Sequence, residues 1–97
     1  MIVEIEDEAL LEIENAISYS EGRFATGAKL SHTIQSAIVT IAEDPYRFRK
    51  NHLGVSVFHL PPFPFYLVLA PCQKTQTIRF FALGSTSRRP NYWKYRI

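Results

Sequence analysis

The sequence has no aspartate or glutamate after Asp44, a single cysteine, four glycines, and no long apolar run. Each scarcity excludes something. One cysteine, Cys72, rules out an internal disulfide and fits a reducing cytoplasm. Four scattered glycines make no glycine-rich phosphate loop. The longest apolar stretch, LPPFPFYLVLAP at 60–71, is interrupted by prolines and falls short of the roughly 20 residues that span a bilayer. Glu4 and Glu6 break up any start that could serve as a signal peptide. His32, His52, His59 and Cys72 share no metal-ligand spacing, so neither a metal nor another cofactor is expected. His32 reads as a helix-surface residue and His59 as part of a strand's surface row. Cys72 has no neighbouring base, and Ser85, Thr86 and Ser87 lack a GxSxG elbow and a His–Asp pair. Hydrolase chemistry through a serine or cysteine nucleophile is therefore not expected.

What is present is one domain, residues 1–97, of ordinary globular composition: 46% hydrophobic and 21% charged. Its net charge of +2 conceals a sharp division. Residues 1–44 hold all nine acids against Arg23 and Lys29, whereas residues 45–97 hold nine cations and no acid. Eleven of the thirteen aromatics also lie in the second part, so the basic part is rich in the residues that interfaces favour. Two readings stand side by side. The halves neutralise each other inside the fold, or the basic half faces an acidic or nucleic-acid partner.

The ending STSRRPNYWKYRI concentrates the question, with Arg88, Arg89, Lys94 and Arg96 beside Tyr92, Trp93 and Tyr95. Arginine forks onto carboxylates and phosphates, and aromatic rings stack on bases or fill a partner's pocket. Taken singly, Trp93 can close a small core, and Arg88 and Arg89 can flank a sheet edge. Taken together they suggest a folded contact surface.

Hydrophobic periodicity gives the rest of the layout. MIVEI alternates as a short strand. Asp7 is placed to cap a helix whose apolar positions are Leu10, Ile13 and Ile17, with Ala9, Ala16 and Ser20 alongside, and which Gly22 is expected to break. After a turn over Arg23–Thr26, a second helix runs from Gly27 to Glu43 on the stripe Leu30, Ile34, Ile38 and Ile41, widened by Ala37. Asp44-Pro45 ends it, since proline disfavours a helical residue before it. So short a connection predicts an antiparallel helical hairpin. Strands are predicted at Arg47–Asn51, Val55–Leu60, Phe65–Ala70 (a central one) and Ile78–Leu83, with Gly84 as the stop. Pro61 to Pro64 make a connection and Pro71–Thr77 a hairpin loop. The expected fold class is α+β, β-α-α-β-β-β, with the hairpin packed on one face of a small, mostly antiparallel sheet.

The pieces FPFYLVL at 63–69, IRFFALGSTSRRP at 78–90 and YWKYR at 92–96 resemble the ParE/RelE superfamily of bacterial toxins, in their order and spacing along nearly the whole chain. In that superfamily a phenylalanine-proline-aromatic strand precedes a strand leading to an arginine-x-proline-x-tyrosine-tryptophan signature. Here the signature reads Arg88-Arg89-Pro90-Asn91-Tyr92-Trp93-Lys94-Tyr95-Arg96. The resemblance implies the toxin of a type II toxin–antitoxin system, acting in the cytoplasm and neutralised by a short, partly disordered cognate antitoxin. ParE-like members bind DNA gyrase, and RelE-like members cut mRNA on the ribosome. The FPF strand and the RRPNYW ending are closer to ParE, which makes Arg88, Arg89, Trp93, Lys94, Tyr95 and Arg96 the expected target-binding residues. The alternative endoribonuclease would draw on Arg79, Arg88 and Tyr95 to hold phosphorane charge and protonate a leaving oxygen. Two departures weigh against cleavage: Tyr66 stands where RelE-like enzymes place an arginine, and Ser85 where many relatives have histidine; VSVFHL at 55–60 lacks the arginines most relatives carry there, so the sheet surface is less basic than the resemblance implies. A degenerate, non-toxic antitoxin-binding module is a further alternative.

Overall fold

A computed structural model describes all residues, 1–97. The element order is β1 (Ile2–Ile5), α1 (Asp7–Phe24), α2 (Gly27–Glu43), β2 (Ser56–His59), β3 (Phe65–Cys72) and β4 (Thr77–Ser85), followed by a short 3-10 turn over Lys94–Arg96. The sheet order is β1-β4-β3-β2. β1 lies parallel to β4, and the other two pairings are antiparallel. This is the expected α+β architecture, with β3 and β4 both central.

The helices pack by a seam of small and branched residues. Ala9, Ile13, Ala16 and Ser20 of α1 are buried, as are Leu30, Ile34, Ala37 and Ile41 of α2. The expected α1 stripe is thus rotated: Leu10 is 43% exposed, and Ile17 is only partly buried. Alanine on the seam lets the helices lie close, and the rotation turns Glu12, beside Ile13 and one turn before Ala16, toward the sheet. Gly22 does not break α1. The helix runs to Phe24 and stops because Ala25 turns left-handed, φ 54°, its N–H donating to the Glu21 carbonyl and that of Thr26 to the Ser20 carbonyl. Asp7 is the first helical residue rather than the cap, which is Glu6. Gly27 opens α2 against α1, where a Cβ would come within 2.7 Å of the Glu21 side chain and 3.0 Å of the Ile17 carbonyl.

Residues 47–51 form no strand. The Asn51 side chain instead accepts hydrogen bonds from the backbone N–H groups of Leu53 (2.9 Å) and Val55 (3.3 Å), and this turn chemistry overrides any extended preference. β3 passes through Pro71, whose missing N–H costs nothing there, because β2 stops pairing at Leu69 and leaves that side without a partner strand. β4 likewise continues past the expected stop at Gly84 to Ser85.

A bulge at Val68/Leu69 leaves Phe81 as the extra residue of β4. Phe81 and Ala82 consequently both join the face away from the helices. That face carries a second small core: Val55, Tyr66, Val68, Phe81, Ala82 and Trp93. The larger core lies between sheet and helices, built from Leu30, Ile34, Ile41, Leu67, Leu69, Ile78 and Phe80 among others.

Candidate functional site

The tail folds across the open face of the sheet and is fixed by two anchors. The first is Trp93, 1% exposed, whose indole N–H donates to the Tyr66 hydroxyl at 3.1 Å. Tyr66 can take this position because its ring lies across Gly84, where a Cβ would sit 2.2 Å from ring carbons. The second anchor is an ion-pair cluster centred on Glu12 of α1. Its Oε1 accepts from Arg96 Nη1 at 2.7 Å, and its Oε2 from Arg96 Nη2 at 3.2 Å, a bidentate fork. Arg96 Nε also lies 3.2 Å from Glu8 Oε2, and Tyr95 donates its hydroxyl to the same Glu8 oxygen at 2.8 Å.

The cluster also completes the sheet. β1 pairs with β4 only as far as Phe80, so the backbone of β4 beyond that point has lost its neighbour. Side chains replace it. The Phe81 carbonyl accepts from Arg96 Nη1 at 3.1 Å, and the Leu83 N–H donates to Glu12 Oε1 at 3.2 Å. The Tyr92 hydroxyl is shared between Glu12 Oε2 (3.1 Å) and the Leu83 carbonyl (3.3 Å). An edge that would otherwise expose unpaired groups is closed by three side chains in succession.

Two titrations reflect this. Hydrogen bonding to Glu12 holds Arg96 still further into its charged form. Burial, then the charge and hydrogen bond of Glu12, push the Tyr92 phenol up to about 12. Because the folded pKa lies above the ordinary value, the neutral phenol stabilises the fold below about pH 10. That contribution is lost as pH rises through 12. Alkaline titration followed by phenolate absorbance should show a phenol that ionises near pH 12, together with unfolding. Tyr92→Phe should shift that alkaline limb to higher pH.

The residues expected at a target surface divide into two groups. Arg88, Arg89 and Lys94 are exposed, and neither Arg89 nor Lys94 enters an ion pair. Arg88, its side chain 58% exposed, has its guanidinium carbon 3.8 Å from the centre of the Tyr92 ring and Nη1 4.0 Å from Glu12 Oε2. Tyr95 is exposed but tied through its hydroxyl to Glu8. Trp93 and Arg96 are anchors: the indole is buried, and the Arg96 side chain is only 9% exposed. Both side chains are thus largely covered by the chain itself, unlike those of Arg88, Arg89 and Lys94.

The alternative cleavage set does not converge. Arg79 pairs with Glu4 (3.2 Å) and Glu6 (3.1 Å) at the start of β4. Arg88 follows the strand's other end, and from Arg79 to Ser85 an extended strand covers about 20 Å. The downstream cations are also not all displayed: Arg79, Arg88 and Arg96 meet the chain's own glutamates, whereas Arg47, Arg49, Lys50, Lys74, Arg89 and Lys94 do not. The reading in which the two halves neutralise each other therefore holds for three of the nine downstream cations.

Sequence reasoning missed Glu12 as the centre of this site. Its signal was a lone carboxylate beside the seam of α1, flanked by Ala9, Ile13 and Ala16, in a chain that ends in arginine and tyrosine.

No family model matches the sequence, and no curated protein does. Among solved structures, the chain is similar to one described as "Chromosomal ParDE TA system from P. aeruginosa", with a TM-score of 0.75 over 88% of this chain and 95% of that one. The two are 12% identical, so what they share is the fold. That shared fold is a helical hairpin on a four-stranded mixed sheet.

Proposed function

We propose that the chain is the toxin of a type II toxin–antitoxin system, that it acts in the cytoplasm by binding a target protein of the gyrase type, and that a cognate antitoxin neutralises it. The fold it shares with a chain of a toxin–antitoxin structure supports the class. No helix is long and apolar enough to cross a membrane, which is compatible with that location. One observation favours binding over cleavage. The tail presents Arg88, Arg89 and Lys94 on a rigidly anchored surface, while Arg79, Arg88 and Tyr95 are held apart or bonded to glutamates.

The test is to add the purified chain to a gyrase supercoiling reaction and, in parallel, to follow mRNA integrity in expressing cells. Inhibited supercoiling with intact mRNA is expected. Rapid mRNA cutting with normal supercoiling would favour the endoribonuclease, and harmless expression the degenerate module. The combined change Arg88→Gln, Arg89→Glu and Lys94→Glu should weaken inhibition by about tenfold or more while the protein stays folded. Arg96 is left out of that set, because a carboxylate beside Glu8 and Glu12 would unfold the tail.

A further inference from the structure

Three of the cations that meet no acid of the chain, Arg47, Arg49 and Lys50, crowd into one short stretch of the loop between α2 and β2. All three are exposed. Glu43 and Asp44 come just before them and are exposed as well, yet neither forms an ion pair.

The loop that carries these charges is tied down along its length. Pro45 is buried. The Phe48 ring meets Phe58 of β2 edge-on, with 5.4 Å between ring centres, and the Phe48 carbonyl accepts from the Ser56 hydroxyl at 3.4 Å. Further on, the Asn51 N–H donates to the Val55 carbonyl at 2.8 Å, and the Asn51 carbonyl accepts from the Gly54 N–H at 3.0 Å. These bonds join the two that the Asn51 side chain accepts, and Gly54 closes the turn at φ 82°. Leu53 packs on the core of the outer face. The loop's larger apolar side chains therefore turn to the body of the protein, and the cations remain on a fixed rim.

We propose that this rim docks on duplex DNA, with Arg47, Arg49 and Lys50 meeting backbone phosphates and no base being read. Like charges held so close repel one another, and no acid of the fold offsets that repulsion. A phosphate backbone does, and each phosphate neutralised also releases condensed counterions. Other polyanions suit the rim less well. Protein interfaces are dominated by aromatic and apolar anchors, whereas Phe48 and Leu53 are already packed against the chain's own cores. Single strands are held by bases stacked on successive rings. Here the exposed Tyr46 and His52 stand toward opposite ends of the loop rather than in a row. A duplex needs no such platform, because its bases are already stacked, and it offers one negative charge per roughly 1.7 Å of its axis. The anchored loop holds its cations in place beforehand, which lowers the ordering cost of binding.

This docking does not depend on the toxin reading above. A chain that leaves gyrase unaffected but binds DNA through the loop fails only that reading. The experiment follows the anisotropy of a labelled duplex of about 20 base pairs, titrated with the full chain between about 50 and 200 mM salt. Three phosphate contacts give a slope of log affinity against log salt of about −2.7, a loss of roughly 40-fold over that range. Arg47→Gln, Arg49→Gln and Lys50→Gln together should weaken binding at the lower salt at least about tenfold and make the slope shallower by about 2.7. A control with the same change in net charge, Arg23→Gln, Lys29→Gln and Lys74→Gln, should stay close to the parent in affinity and slope. All six side chains are exposed, so both variants keep the fold, as circular dichroism will verify. Amide shifts of the parent on adding the duplex should centre on residues 46–53, which locates the site without any variant.

Absent binding at the lower salt, an equal loss in both triple variants, or shifts centred elsewhere would overturn the assignment. So would tighter binding of a single-stranded RNA of the same length, or of a polyglutamate peptide, since either would give the loop to a different polyanion.

Discussion

Replacing Glu12 with alanine should cost about 3–5 kcal/mol of stability, the range for removing one partner of a buried ion pair. The side chains of Glu12 and Arg96 are 17% and 9% exposed, so solvent does little to screen them. Without Glu12 the Arg96 guanidinium keeps Glu8, the Tyr95 hydroxyl and the Phe81 carbonyl, and the Leu83 N–H and Tyr92 hydroxyl lose an acceptor. Each lost kcal/mol lowers Tm by about 4–8 °C in a domain of this size, so thermal unfolding should show a fall well beyond 10 °C. The double variant Glu12→Leu, Arg96→Met should lose less than the sum of the single changes, with a coupling of about 1–3 kcal/mol. Additive losses would mean that the fork contributes no pairwise energy. The tail would then be held by Trp93 alone.

The second large effect belongs to Trp93→Ala. Emptying a site that is 1% exposed should cost about 3–5 kcal/mol. The cavity opens onto Val55, Val68, Phe81 and Ala82, and the Tyr66 hydroxyl loses the indole that donates to it. Trp93→Phe refills most of the volume, so its loss should be smaller, about 1–2 kcal/mol for the broken hydrogen bond. Denaturant titration followed by circular dichroism separates the two variants. If alanine and phenylalanine cost the same, the hydrogen bond rather than the packing holds the tail. Any loss of target binding in Trp93→Ala should accompany unfolding of the tail. In the combined variant Arg88→Gln, Arg89→Glu and Lys94→Glu it should occur with the fold intact.

These two anchors show what a reader of the sequence can and cannot extract. The helices and three of the four later strands are written locally. Leu30, Ile34 and Ile41 recur at helical spacing, Pro45 marks a stop, and Phe65 to Ala70 is an unbroken apolar run. The missing strand at 47–51 fails for a local reason as well: Asn51 bonds its own backbone neighbours, and the charges around it offer no alternation to pair. The site is less legible because its defining contacts are remote. Glu12 and Arg96 are 84 residues apart, and nothing near either names the other. The charge division predicted that the two halves would meet or face a partner. Only the path of α1 past β4, where the tail returns, decides that Arg96 is spent internally while Arg89 and Lys94 stay free. The rotation of α1 is likewise a tertiary choice, made by the fit of Ala9 and Ala16 rather than by the larger Leu10.

The side-chain ladder along β4 ties the presence of the surface to the state of the whole molecule. Arg96 and Tyr92 bind to backbone groups that point the right way only when β4 is already paired with β3 on its other side, and they bind a glutamate that is in place only when α1 has docked. A half-formed molecule lacks the seat for the tail, so it cannot show Arg88, Arg89 and Lys94 in their common geometry. Recognition by any partner of that segment therefore doubles as a readout of complete assembly, switched on with the last long-range closure and off with the first global opening.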